Sequence, residues 1–190
     1  AMTDNFTVNY GLRAETFSAF ASGTHLRPSL PEVWKPNYTL TIPAGYARYF
    51  SPPPFELVAS NDVALFDNTT AAGNGLAGST PQAERADYFD MGAEQKLGDF
   101  TIGLDSFYKT SKNLIDEGQF GAPIILTPFN YQHGRQYGSE LTINYAHDDF
   151  SAYVNASYER AVGINIVSSQ FQFDPGDLAY IASHYIPLDH

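Results

Sequence analysis

Few side chains in this chain of 190 residues have the spacing that a catalytic site would require. The sequence contains neither Gly-x-Ser-x-Gly nor His-Glu-x-x-His, the patterns that carry a serine nucleophile or a catalytic zinc ion. Asp116 and Glu117 are adjacent, so on a strand their carboxylates would point to opposite faces. The residue types and their order therefore predict that the protein is not an enzyme.

The histidines and cysteines predict no metal centre. The chain has no cysteine, which excludes a Cys-ligated zinc site, a cysteine nucleophile and a disulfide framework. His184 and His190 would share a strand face, but about 20 Å of strand would separate them, too far for one ion. His147 begins His147-Asp148-Asp149, a sequence typical of a turn. We therefore expect neither a metal nor another cofactor.

Charge and composition narrow the class of partner. The 10 Lys and Arg residues against 21 Asp and Glu residues give a net charge of −11, which argues against a nucleic-acid partner, since phosphate binding needs a basic surface. Aromatic residues make up 15% of the chain, and charged residues only 16%, where about 25% is typical of soluble domains. No apolar run approaches the roughly 18 residues of a transmembrane helix.

Hydrophobic residues alternate with polar ones along most of the chain, which predicts long strands. The predicted strands are residues 5–20, 26–36, 38–50, 85–97, 100–110, 136–147, 150–161 and 178–189. Short turns alternate with long connections, expected as outer loops at about residues 51–84, 111–135 and 162–177. This asymmetry is typical of a transmembrane barrel. The predicted fold class is all-β, with about eight antiparallel strands of a transmembrane β-barrel.

Four of these strands carry an apolar stripe with an aromatic residue at each end. The two aromatics are eight residues apart, which is roughly 26 Å along a strand or roughly 20 Å along the membrane normal at a tilt of about 40°. Tyr and Phe rings prefer the membrane interface. The pattern predicts a lipid-facing girdle formed by Tyr38, Tyr46, Phe100, Tyr108, Tyr137, Tyr145, Phe150 and Tyr158.

The opposite faces of the same strands are small and polar. In a barrel they would line the lumen, and the predicted lumen-lining residues are Asp105, Lys109, Glu140, Asn144, Asn155 and Glu159. A soluble β-sandwich would instead bury the apolar stripe and turn this polar face to water. In that interpretation the aromatic ends would be edges of a core or would line a ligand groove.

Several motifs resemble those of TonB-dependent outer-membrane receptors. The first is Tyr46-Ala47-Arg48-Tyr49-Phe50-Ser51-Pro52-Pro53, a strand end that leads into a long loop. The second, Glu84-Arg85-Ala86-Asp87-Tyr88-Phe89-Asp90-Met91-Gly92, is similar to the entry of the following strand in that family. The turn Lys96-Leu97-Gly98-Asp99-Phe100 and the strand start Gly138-Ser139-Glu140-Leu141-Thr142 fit the same order.

This resemblance implies a receptor in the outer membrane of a Gram-negative bacterium that binds and imports a scarce solute, such as a ferric siderophore. Its partners would be the outer-membrane lipid, the remainder of the barrel and its plug, the TonB complex that drives transport, and the small-molecule solute. Whole receptors of this kind have barrels of about 22 strands around a plug. We therefore expect the chain to be a barrel fragment whose two unpaired edges favour a larger assembly or oligomerisation.

The resemblance also implies that the long loops recognise the solute, because binding residues concentrate on loops held by a rigid scaffold. The candidate ligand-binding residues are Asp116, Glu117, Phe120, Tyr131, His133 and Arg135. The alternative is that this loop packs on its neighbours and that Arg135 pairs with an acid. The lumen residues would face the plug or the permeation path, or would be a plain polar lining.

Two other classes of function remain open from the sequence. One is a soluble all-β module that binds carbohydrate or another ligand through exposed aromatics. The other is a small, self-closed outer-membrane porin or enzyme, which would require the first and last strands to pair. Burial of Leu104, Ile143 and Val154 in a dry interior would refute the membrane interpretation.

Overall fold

The computed structural model describes residues 5–18, 22–54, 57–58, 60–70, 72, 80–120 and 125–188, and one antiparallel sheet of nine strands dominates these residues. The strands are β1 (Phe6–Val8), β2 (Gly11–Ser18), β3 (Ser22–Trp34), β4 (Leu40–Ser51), β5 (Glu84–Leu97), β6 (Phe100–Phe120), β7 (Ile125–His147), β8 (Phe150–Ile166) and β9 (Ile186–Pro187). From β3 to β9 each strand pairs with the next in the chain, and β1 and β2 both pair with β3.

The predicted all-β antiparallel class is confirmed, and seven of the eight predicted strands have a counterpart in the sheet. In the described residues the edge at β1 and β2 does not pair with β9, so the sheet is open. Short helices accompany it: 3₁₀ segments at Ser60–Phe66 and Gln170–Gln172, and the α-helix α1 at Pro175–Ile181. Within the described ranges, no helix is both long enough and apolar enough to cross a membrane.

The prediction of a strand over residues 178–189 is wrong, because this segment contains the end of α1 and the short β9. Pro175 occupies the first turn of the helix, where its missing N–H costs nothing, and Asp177 lies in the same turn. Leu178 and Ile181, three residues apart, pack on one hydrophobic cluster. Tertiary packing therefore favours helix where the alternation alone suggested strand. Residue 189 lies outside the described residues.

The connection expected at residues 111–135 is a β-hairpin. Strand β6 continues to Phe120, and its pairing with β7 extends to Ile125, so the two strands project beyond the rest of the sheet. Strand β8 likewise continues to Ile166 before the chain enters its 3₁₀ segment and α1. The Gly, Asn and Pro content of these segments suggested loops, but cross-strand hydrogen bonds hold them extended. Much of the expected loop at 51–84 lies outside the described residues.

The strand register separates an apolar face from a polar face. The apolar face carries Leu104, Leu141 and Ala156 at directly opposed positions of β6, β7 and β8. Leu104 is 51% exposed and Val154 is 61% exposed. Ile143 is half-buried. These three side chains are therefore not packed together in a dry interior. The membrane interpretation is not refuted.

The main hydrophobic cluster of the described residues lies in the projecting hairpin. It consists of Leu114, Phe129, Tyr131, Ile166 and Ile181, with Phe173, Leu178, Ile186 and Leu188 packed against it. The β6–β7 hairpin, the end of β8 and the segment that contains α1 thus form one folded unit, which we call the outer cap.

The outer cap begins where two asparagines interrupt the strands. Asn113 in β6 has φ 53° and Asn165 in β8 has φ 58°, the left-handed conformation that asparagine tolerates better than most residues. Beyond Asn113, the Leu114 side chain occupies the place that a Cβ on Gly134 would need. Only glycine at position 134 lets Leu114 lie this close to the strand, so the bend and the glycine together seat the hydrophobic cluster.

Candidate functional site

The polar face holds a concave surface lined by acidic and aromatic side chains. Strict alternation along β5 to β8 directs Asp90, Asp105, Glu140 and Glu159 to this face, together with Phe107. These residues line a cavity of about 560 Å³, along with Tyr88 and Ser157. The Tyr88 and Phe107 rings stack with centroids 5.8 Å apart and planes 16° apart. The cavity therefore has acidic walls around an aromatic floor.

Asp105 and Glu140 are directly opposed across β6 and β7. Two like charges in this position repel each other across the strand pair. The Asp105 carboxylate also leans over Gly92 on the neighbouring strand, in the place that a Cβ there would occupy. The glycine lets the carboxylate lie against the wall rather than project across the cavity. Such a surface attracts cationic or hydrogen-bond-donating groups.

The remaining predicted lumen residues lie on the same face in different surroundings. Lys109 forms an ion pair with Glu84 at 2.9 Å, and Glu84 also accepts a hydrogen bond from the Ser111 hydroxyl at 2.8 Å. Lys109 therefore fastens the base of the outer cap. Asn155 is opposite Thr142, and Asn144 is opposite Thr101, so both asparagines lie farther from the outer cap than the cavity does.

The polar face does not gather metal ligands. In the described part of the chain, no group of three or more His, Asp or Glu side chains lies close enough to hold a metal ion. The predicted lumen residues that share the cavity are Asp105, Glu140 and Glu159. The chemistry that this surface can offer is electrostatic attraction and hydrogen bonding.

The structure separates the predicted ligand-binding residues of the hairpin into buried and exposed groups. Tyr131 is only 3% exposed and packs edge to face against Phe129, with ring centroids 5.1 Å apart. Burial, and secondarily the charge of Asp116, raises the pKa of the Tyr131 phenol. Tyr131 is thus a core residue of the outer cap. Phe120 ends β6 opposite Ile125.

Arg135 and His133 lie on the apolar side of β7, beyond its aromatic end. The guanidinium of Arg135 lies 4.6 Å from the ring centroid of Tyr185, a cation–π contact with the segment that follows α1. Tyr180 and His184 stack nearby in the chain, with centroids 4.3 Å apart. Arg135 therefore contacts an aromatic ring where the sequence had suggested an acidic partner.

Asn130 stabilises the outer cap, and the sequence alone did not identify it. It is completely buried, and its side chain bonds with three separate segments: Gln82, the Asn113 carbonyl at 2.9 Å and the Ser168 hydroxyl at 3.0 Å. Its partners are distant along the chain, so no local motif identifies it. This one side chain therefore ties β7 to the segment before β5, to β6 at Asn113 and to the segment after β8.

The aromatic side chains of the apolar face form two rows. Tyr46, Phe89, Tyr108 and Tyr137 are opposed in turn across four strands, and we call them the outer aromatic row. Phe100 and Tyr145 are directly opposed and form the other row, and the Phe150 ring lies 5.9 Å from that of Tyr145. The sequence pattern did not identify Phe89, because Phe89 directly follows Tyr88 and the two adjacent aromatics point to opposite faces of β5. Tyr38 precedes β4, and Tyr158 is opposite Ser139.

An ion pair lies just beyond the outer aromatic row. Arg48 donates to the Asp87 carboxylate at 2.8 Å, and the Tyr46 hydroxyl donates to the same oxygen at 2.7 Å. The hydrogen bond from Arg48 is the main reason that the pKa of Asp87 is lowered from its usual value. This cluster ties β4 to β5 where the strands leave the predicted membrane band.

Comparison with known proteins gives a family and a fold. Residues 1–187 match the family described as "TonB dependent receptor-like, beta-barrel". No match to a curated protein was found. Two solved structures of the FrpB iron transporter from Neisseria meningitidis, the F3-3 variant and the apoprotein form of the F5-1 variant, are similar in fold, each with a TM-score of 0.61 and 21% identity. The similarity covers 88% of this chain but only 24% and 25% of those chains.

Proposed function

Because the chain belongs to the family of TonB-dependent receptor-like β-barrels, we propose that it forms a sector of an outer-membrane receptor that binds a scarce solute and admits it to the cell. The family is one of receptors and transporters, not of enzymes. The observation that carries the proposal is the sidedness of the sheet, with an exposed apolar face between two aromatic rows and an acidic face behind it.

Membrane embedding is supported by the exposed side chains of the apolar face. Leu104, Met91 and Val154 are each more than half exposed, in a position where a soluble protein would bury them. A barrel in lipid presents such an apolar band to the acyl chains and places aromatic rings at both interfaces. The membrane in question is the outer membrane of a Gram-negative bacterium, which is where barrels of this family function.

The open edges of the sheet support assembly into a larger barrel. Unpaired edge strands in a membrane would leave backbone N–H and C=O groups without partners, at a cost of several kcal/mol each. Further strands must therefore continue the sheet beyond β1 and β9. The chain spans about a quarter of the length of the solved transporters that it resembles. The remaining barrel and a plug would enclose the acidic cavity as part of the permeation path.

The proposed solute is an iron-containing compound such as a ferric siderophore, and the TonB complex would drive its entry through the plug. The name of the FrpB iron transporter supports this choice. Asp116 and Glu117 would contact the solute at the outer cap, while Tyr131 holds the hairpin that presents them; His133 and Arg135, on the apolar side of β7, would not. Asp105, Glu140 and Glu159 would face the solute or the plug further in.

Uptake by living cells tests this proposal. A strain whose only receptor for the supplied ferric siderophore carries this barrel should accumulate radioactive iron, and deletion of its TonB protein should abolish accumulation. Asp116→Asn with Glu117→Gln should reduce uptake, whereas Asp148→Asn in the turn at the other end of the strands should not. Uptake that is unchanged without TonB would contradict the proposal.

A further inference from the structure

Glu32 in β3 lies on the apolar face of the sheet. It is directly opposite Val8 of β1 and Ala44 of β4, and Ala44 shares this face with Tyr46 of the outer aromatic row, two residues away. Among the described residues of the apolar face between its two aromatic rows, Glu32 is the one charged side chain. A carboxylate that faces hydrocarbon is costly unless a partner satisfies it, so this position calls for one.

Trp34 indicates the depth of this carboxylate in the membrane. It ends β3, lies two residues from Glu32 on the same face and is 48% exposed. Tryptophan rings prefer the membrane interface, where the indole N–H finds a hydrogen-bond partner. Two residues of a strand tilted by about 40° place Glu32 roughly 5 Å deeper in the band than Trp34. The Glu32 carboxylate therefore lies inside the apolar band rather than at its border.

A groove surrounds these two side chains. Phe6, Glu32, Trp34, Ile42 and Ala44 line a cavity of about 380 Å³ on the apolar face, and we call these five residues the Glu32 groove. Within the part of the chain that the structure describes, neither the Glu32 carboxylate nor the Trp34 indole N–H has a hydrogen-bond or ion-pair partner. The groove thus presents an acceptor and a donor together in apolar surroundings.

The occupant of the groove must carry a donor for Glu32 and an acceptor for Trp34. Acyl chains offer neither group, and further strands beyond β1 would extend the edge of the sheet without covering its outward face. A second copy of the same groove offers both groups. Rotation about a two-fold axis along the membrane normal keeps every residue at its depth, and the long Glu and Trp side chains can span the roughly 5 Å between their levels.

We propose that the Glu32 groove is the contact of a two-fold symmetric dimer in the membrane, in which Trp34 of each copy donates a hydrogen bond to Glu32 of the other. Such an interface is self-complementary, as a two-fold contact requires. A hydrogen bond to a carboxylate is roughly twice as strong as one between neutral groups, and the hydrocarbon core holds no water to compete for it. This inference rests on the proposed membrane embedding but not on solute transport.

Photocross-linking of the complete receptor in native outer membranes locates the contact. A benzophenone amino acid would replace Val8, which is opposite Glu32 at the rim of the groove. The matched control replaces Val154, an exposed valine of the same face on the distant strand β8. Irradiation should join two copies through position 8 and should leave the protein labelled at position 154 monomeric. Absence of a dimer at position 8, or equal dimer yields from both positions, would overturn the inference.

Substitutions at the two positions test the hydrogen bonds. Trp34→Phe removes the indole N–H and keeps a ring, whereas Glu32→Leu removes the acceptor. Each single variant loses both bonds of the dimer and should raise its dissociation constant in detergent about 25-fold, since one such bond in a membrane contributes about fivefold. The double variant should be no weaker than either single variant, because the same two bonds are lost. The matched control Tyr108→Phe removes a hydroxyl elsewhere on the apolar face and should leave the dissociation constant unchanged.

Further measurements separate the possible results. Glu32→Gln keeps an uncharged acceptor and should dimerise more weakly than the parent but more tightly than Glu32→Leu. Parent-like dimers of the Trp34→Phe and Glu32→Leu variants, or effects that add in the double variant, would overturn the inference. Reconstitution into bilayers distinguishes the two proposals. A protein that inserts into no bilayer overturns both, whereas one that inserts and stays monomeric overturns the dimer alone.

Discussion

The side chain of Asn130 forms two reciprocal hydrogen bonds with the backbone of Gln82, as a neighbouring strand would. The carboxamide of Asn130 donates to the Gln82 carbonyl at 2.9 Å and accepts from the Gln82 N–H at 2.7 Å. The segment before β5 therefore gains the two hydrogen bonds that a neighbouring strand would supply. Because the Asn130 side chain is completely buried, leaving one of its groups without a partner has a high cost.

Substitution of Asn130 should loosen the outer cap. Asn130→Asp keeps the acceptor but loses both donations, to Gln82 and Asn113, and should destabilise the cap by about 3 kcal/mol. The measurement is hydrogen exchange of the amides of residues 113–131, which should become faster by about two orders of magnitude. The matched control Asn144→Asp lies on the exposed polar face and should leave that exchange unchanged. Equal protection in the Asn130 variant and the parent would contradict this role.

Two leucines of the same strand should differ in their importance to the outer cap. Leu114 is 4% exposed in the hydrophobic cluster, whereas Leu104 is 51% exposed on the apolar face. Leu114→Ala should cost about 2–5 kcal/mol of cap stability because it leaves a cavity. Leu104→Ala leaves none within the protein. Limited proteolysis should cleave the Leu114 variant faster in the hairpin, and similar cleavage of both variants would refute the assignment of the core.

The ion pair between Arg48 and Asp87 should make stability depend on acid pH. The folded state lowers the pKa of Asp87, so the pair stabilises the protein above the unfolded pKa of about 3.9 and this contribution disappears as the pH falls through the folded value. Because both side chains are partly exposed, the contribution should stay below about 1 kcal/mol. Arg48→Gln should shift the carbon NMR titration of the Asp87 carboxyl to higher pH, and an unshifted titration would contradict the pairing.

The opposed carboxylates of the polar face should repel each other measurably. Asp105→Asn removes the repulsion by Glu140 and should raise stability in detergent by about 0.2–1 kcal/mol at low ionic strength. The gain should fade at high salt, where charges on an exposed surface are screened. Thermal unfolding at low and high salt provides the measurement. A variant that is less stable than the parent at low salt would mean that a cation already neutralises the pair.

The alternation of side chains made the strands and their two faces predictable from the sequence. Adjacent side chains of a strand point to opposite faces of the sheet. The sequence therefore predicts that Leu104 and Val154 face outward and that their neighbours Asp105 and Asn155 face inward. The hairpin beyond Asn113 was not predictable in this way, because its Gly, Asn and Pro residues suit loops as well as bent strands. The sequence did not predict helix α1, because seven residues are too few for a helical periodicity to be recognised.

The candidate site was only partly predictable for a related reason. Asp105, Glu140 and Glu159 share a cavity because regular register carries their alternation across three strands. Tyr131 was expected at a solute-binding surface, yet it is buried once the chain folds α1 against it. Tyr131 and Ile181 belong to one hydrophobic cluster although they are 50 residues apart, and such long-range packing cannot be recognised in the local sequence.

The sidedness of the sheet is the central claim, and the absence of cysteine allows it to be measured without a background of native thiols. Single cysteines would be introduced by Leu104→Cys, Val154→Cys, Asp105→Cys and Asn155→Cys, and each would carry the same fluorophore after reconstitution of the protein into bilayers. A quencher confined to the acyl chains should dim the labels at 104 and 154 and spare those at 105 and 155. Quenching that does not alternate between neighbouring positions, or that favours 105 and 155, would contradict a barrel wall with its apolar face in lipid.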